Sequence, residues 1–141
     1  EYAIFRGPQN QVVGTAGQLI AGQTDDARLE PGSTYHFIGL RQKGGAAGVE
    51  RSHFAVFNPA WGVAEVTVRL YDGESGSLEG ERSWMVGGRT LTQVNNVIRA
   101  INSGQDGNEK RIEVEVSREV FMNAFRVNPW GDPITLSSFK D

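Results

Sequence analysis

The sequence contains no cysteine. That absence excludes disulfide scaffolds, thiolate zinc sites, c-type haem attachment and a cysteine nucleophile. It does not choose a compartment, because zero cysteine suits a reducing cytosol and many secreted bacterial proteins alike. No apolar run reaches the roughly 18 residues that a spanning helix needs, so no membrane span is expected. Histidine is scarce, at two residues, His36 and His53. No charge sign dominates: 14 Lys and Arg face 17 Asp and Glu, a net of −3. Such a chain lacks the basic footprint of a nucleic-acid protein, so no nucleic-acid partner is expected.

Glycine is plentiful, at 18 of 141 residues, and it has no collagen period, which implies many tight turns within one domain. Between the turns, strand patterns dominate. Ala64, Val66, Val68 and Leu70 alternate with Glu65, Thr67, Arg69 and Tyr71, the period of a strand with one wet face. Asp72-Gly73-Glu74-Ser75-Gly76 supplies turn chemistry, and Leu78–Val86 reads as the return strand. Ile112, Val114 and Val116 mark another alternating strand. Further strands are expected at 34–40, 52–58, 90–94, 120–127 and 134–139, with a weaker one at 11–20 broken by Gly14 and Gly17.

One segment has helical spacing. Val94, Val97, Ile98 and Ile101 recur at i, i+3, i+4 and i+7, with Asn95 or Asn96 as N-cap and Asn102-Ser103-Gly104 as the stop. A polar loop is expected over 104–110. The long helices of a parallel α/β fold are missing. The pattern predicts an all-β, antiparallel β-sandwich with one short helix.

The two ends of the chain echo one another. Ala3-Ile4-Phe5-Arg6 parallels Asn123-Ala124-Phe125-Arg126. Each is followed by a turn rich in Pro, Asn or Gly and then by a second apolar segment, from Val12 and from Ile134. Residues 1–20 are therefore expected to be a strand segment exchanged with, or belonging to, a neighbouring module, and residues 21–141 the sandwich itself.

An ordered set of motifs carries a family resemblance. Gly39-Leu40-Arg41, Phe54-Ala55-Val56-Phe57-Asn58-Pro59, Val66–Asp72, Gln93–Ile98, Glu113-Val114 and Gly131-Asp132-Pro133 follow one another in this order. Together, from Gly17 to Phe139, they resemble an immunoglobulin-like repeat module of secreted and surface proteins of environmental bacteria. The resemblance implies a sandwich fold, a secreted or cell-surface location and a non-catalytic role. It supplies no catalytic motif and no cofactor.

Chemistry-bearing residues are few. His36 and His53 with Asp72 or Glu50 are the only histidine-based metal set available, and their spacing is unspecific, so no metal is expected. Ser52 and Ser83 lack a G-x-S-x-G elbow, which leaves a hydrolase without a nucleophile. Asp25-Asp26 and Asp72-Gly73-Glu74 read as solvated turns rather than calcium loops, and 44–48 as a flexible loop without a P-loop Lys-Ser/Thr. Trp61 and Trp130 lie in loops beside Pro and Gly, where an indole either caps the core or offers a stacking surface to a ligand; Trp84 lies in a strand. The expected function is a non-enzymatic structural or interaction module. Its partners are copies of itself or neighbouring modules, joined through strand Tyr2–Arg6 with Tyr2, Ile4 and Phe5 at the interface. The alternative is a glycan-binding module using Trp61 and Trp130.

Overall fold

The computed structural model describes residues 2–6, 12–17, 27–44, 50–129 and 133–141. Along the chain they form β1 (Tyr2–Arg6), β2 (Val12–Gly17), β3 (Tyr35–Gln42), β4 (Arg51–Phe57), β5 (Ala64–Asp72) and β6 (Leu78–Val86). These are followed by β7 (Leu91–Val94), α1 (Val97–Ile101), β8 (Gly107–Val116), β9 (Phe121–Val127), β10 (Pro133–Leu136) and β11 (Ser138–Lys140). A five-stranded sheet of order β11-β3-β8-β5-β6 packs against a four-stranded sheet of order β10-β9-β4-β7. Every pairing is antiparallel. The protein is an all-β sandwich with one short helix.

The core lies where the alternating patterns place it. Ala64, Val66, Val68 and Leu70 of β5 and Ile112, Val114 and Val116 of β8 meet Phe54 and Val56 of β4 and Met122 and Ala124 of β9. A fully buried Val or Leu contributes roughly 1.5–3 kcal/mol relative to exposure, so these inner faces supply the main driving force. In β3 the alternation slips: the register shifts between Ile38 and Leu40. Gly39 sits there at φ 81°, a conformation that costs glycine little. The slip lets both Phe37 and Leu40 point inward. Trp84 packs edge-on against Phe54, with ring centroids 5.2 Å apart.

The helix is shorter than its pattern implied. Val94 ends β7, and α1 begins at Val97 behind Asn96, which takes φ 53° and makes no side-chain cap. Asn95 is occupied elsewhere, holding His53 and Gln93. Val97 and Ile98 are buried, and Ile101 lies against β6 at Gly80, where a Cβ would stand 2.9 Å from Ile101 Cγ2. The helix thus closes one open side of the sandwich.

The expected loop at 104–110 is half strand, since β8 starts at Gly107. Lys110, at the end of that expected loop, instead lies in β8 and is buried, and its Nζ donates at 2.6 Å to both Asp72 Oδ2 and Glu79 Oε1. A buried ammonium needs such partners.

β1 and β2 pair with each other as a separate two-stranded sheet. The side chains of Tyr2, Ile4 and Phe5, the residues Asp25 and Asp26, the loop 45–49 and Trp130 lie outside the described residues.

Candidate functional site

The chemistry-bearing residues do not gather at one place. His36 and His53 lie on different sheets and on outward faces. His36 stacks on Phe139 with centroids 4.9 Å apart, and its Nε2 is 2.7 Å from Asp141 Oδ2. His53 stacks on Phe125 and donates from Nδ1 to Asn95 Oδ1 at 2.8 Å. Burial pushes the His53 imidazole below its usual value, the Asn95 bond opposes this, and the Arg51 charge adds to the lowering. Ser52 is buried, and its hydroxyl bonds both the amide and the carbonyl of Arg41. Ser83 faces Thr67 on the outer surface. Asp72 Oδ1 accepts from the amides of Glu74 and Ser75, closing its own turn, while Oδ2 holds Lys110. Among the described residues, no group of three His, Asp or Glu side chains is placed to hold a metal.

Trp61 is different. It is 83% exposed, so it does not cap the core, and its display is built. Asn58, 0% exposed, organises the loop from within. Its Nδ2 donates to Gly62 O at 2.7 Å and to Val86 O at 3.0 Å, and its Oδ1 accepts from the Ala60 amide at 3.1 Å. The neighbouring β6–β7 turn clamps the loop from the other side. A Cβ on Gly88 would stand 2.0 Å from the Trp61 carbonyl oxygen, so only glycine allows this backbone approach. The Arg89 amide donates to Ala60 O at 2.9 Å.

One guanidinium lies over the indole and a second over the next residue, Gly62. Arg89 takes φ 57°, a conformation unfavourable for a side-chain-bearing residue. Its Cζ lies 4.8 Å from the Trp61 ring centroid. Arg118 lies flat over Gly62: a Cβ there would stand 3.1 Å from Cζ and 3.2 Å from each Nη. Neither arginine pairs with a carboxylate among the described residues. Arg118 also lines an open pocket of about 580 Å³ with Arg28, Pro31, Pro59, Ala60 and Glu119. There Arg28 and Glu119 neutralise each other at 2.6 Å.

The arrangement offers a flat apolar surface, two cationic donors and an adjoining pocket with proline walls. The sequence places Trp61 in a loop. Gly88, Arg89 and Arg118 carry no local signal of their own, because their contacts join loops far apart in the chain, as does the Asn58 bond to Val86 O.

No family model and no curated protein matches the chain. In structure it is similar to Thermotoga maritima 1070, at 11% identity and TM-score 0.57 over 80% of this chain and 93% of that one. It is also similar to the Anabaena sensory rhodopsin transducer, at 10% identity and TM-score 0.54 over 68% of this chain and 87% of that one. At such identities the likeness is one of fold alone.

Proposed function

We propose that the protein is a non-enzymatic interaction module of a secreted or surface protein, related to immunoglobulin-like repeats and joined to neighbouring modules or copies through its N-terminal strands. The observation that carries this reading is the hairpin β1–β2. It shares the Phe-Arg pair of β9 and the antiparallel hairpin of β9–β10, with Phe5 opposite Gly14 and Arg6 opposite Val12 against Phe125 opposite Thr135 and Arg126 opposite Ile134. It also joins neither sheet of the sandwich. On this reading residues 1–20 are the closing hairpin of a neighbouring unit, and the free edge of β1, with Tyr2, Ile4 and Phe5, adds to an adjacent module by backbone hydrogen bonds. Multi-angle light scattering on the chain with and without residues 1–17 tests it. The full chain should self-associate and the truncated one should not. Equal mass and equal Tm in both would refute the proposal.

A second reading, carbohydrate binding, is supported by one specific feature: the exposed, pre-positioned indole of Trp61. A ring held in place before the ligand arrives loses little conformational freedom on binding, and its face suits the C–H face of a pyranose. Trp130 would add a second surface only if it stood nearby, and it lies outside the described residues.

A further inference from the structure

We infer that the Trp61 end of the sandwich is a binding site for an anionic saccharide: a pyranose ring stacks on the indole while its carboxylate or sulfate is held by Arg118 and Arg89. The inference rests on the carbohydrate reading and adds the charge of the ligand to it.

Three observations converge. First, the site is rigid. The loop 58–62 is tied by the buried Asn58 amide and by the backbone contact at Gly88, and the Arg89 backbone is held left-handed beside it. Strain and a buried polar group kept together at one loop mark a site that the rest of the fold stabilises. Second, the two cations at the loop are unspent. Several other arginines meet carboxylates, Arg69 with Glu81 and Glu115, Arg99 with Asp106 and Arg111 with Glu113, whereas Arg82 bonds the Ala100 carbonyl over Trp84. Arg89 and Arg118 meet none among the described residues, although the chain as a whole carries an excess of acid. They lie over the adjacent residues Trp61 and Gly62. Arg89 is thus beside a ligand seated on the indole and Arg118 is one residue along the loop, and a guanidinium fork matches the planar oxygens of a carboxylate or sulfate. Third, the pocket beyond Pro59 gives the chain of an oligosaccharide somewhere to run, with the Arg28–Glu119 pair contributing no net charge there.

A nucleic acid also combines rings with anions. It is disfavoured because binding single strands uses several stacking platforms along a basic groove, whereas among the described residues this end shows one indole with two arginines that meet no carboxylate, on an acidic protein.

Affinity gel electrophoresis through polygalacturonate, dextran sulfate and neutral xylan, with oligothymidylate binding measured alongside, tests the inference. The full chain should be retarded by polygalacturonate or dextran sulfate, and whichever retards it more identifies carboxylate or sulfate as the anion. Retardation should weaken as salt is raised. Trp61→Ala should abolish it, and Arg118→Ala should weaken it about tenfold, the loss of one charge-assisted contact. Both side chains can be removed without touching the core, and unchanged thermal melts would confirm folding. Equal retardation by xylan, lost in Trp61→Ala but unaffected in Arg118→Ala, would overturn the anionic specificity and leave the carbohydrate reading standing. No retardation by any polysaccharide would overturn both. Tighter binding to oligothymidylate than to either polyanionic saccharide would overturn the proposal in favour of nucleic acid.

Discussion

Replacing Asn58 with Ala removes three hydrogen bonds at once, and their surroundings set the cost. The bonds to Gly62 O and from the Ala60 amide are part-buried, so water can replace the lost partner, at a net cost of about 1 kcal/mol each. The bond to Val86 O is buried, and an acceptor left dry costs roughly 1–3 kcal/mol. The sum is about 3–5 kcal/mol, large against the 5–15 kcal/mol that a domain typically has. Urea unfolding followed by far-UV circular dichroism measures it as a fall in the midpoint at constant slope. A companion variant separates hydrogen bonding from shape. Asn58→Asp keeps the acceptor for Ala60 but turns a second acceptor onto two carbonyl oxygens. Only the protonated acid can donate there, so the folded state raises that carboxyl above its unfolded value. The folded protein then holds the extra proton, and stability falls as pH rises through the carboxylate range toward neutrality. A loss below about 1 kcal/mol for Asn58→Ala, or an Asn58→Asp variant with the pH profile of the parent chain, would refute the claim that this amide organises the tryptophan loop.

Two further predictions concern charge. Lys110→Met leaves the carboxylates of Asp72 and Glu79 facing each other without their cation. It should lower Tm, and adding Asp72→Asn with Glu79→Gln should restore much of the loss; a triple variant no better than the single one would contradict the triad as described. Acid should destabilise in two stages. Burial holds His53 below its usual value, so the unfolded chain binds its proton first, and stability declines as pH falls through the ordinary histidine value of about 6.5. Asp72, held low by Lys110 and its own turn, and Glu115, held low chiefly by Arg69, contribute stability above the ordinary carboxylate value that is lost below about pH 4. Melting curves against pH should show the first decline flattened in His53→Gln and the second kept; an unchanged first stage would exclude His53 as its source.

Much of the fold is legible in the sequence because burial on one face writes itself as alternation. In β5 and β8 every predicted inward residue is buried, since a strand has no other way to satisfy that pattern. Legibility fails where a contact across the fold outweighs the local pattern. Val94 fits both the expected strand 90–94 and the helical stripe, and the pairing with Phe54 is what places it in β7. Lys110 falls in a stretch that reads as a polar loop, yet its inward position becomes tenable because Asp72 and Glu79, from two other strands, converge on it. Neither partner is near it in sequence.

The tryptophan loop shows the same limit at a finer scale. Pro59-Ala60-Trp61-Gly62 reads equally well as a cap and as a display. The choice is made by Asn58 reaching Val86 O, 28 residues away, and by Gly88 admitting the Trp61 carbonyl. These contacts fix the backbone so that the indole is turned out of the core, and Arg89 is then held against it. An indole with only a capping role would lose nothing by folding inward, and it would gain the burial that a large aromatic surface normally seeks. Here the structure forgoes that gain and holds Arg89 in an unfavourable conformation. Such a cost persists only where the surrounding fold over-determines it, and it gathers at sites that meet a partner. The same backbone region is taken by Asn96, Ser103 and Glu109, so at the Trp61 end the strain supports the proposed carbohydrate reading only together with the exposed indole.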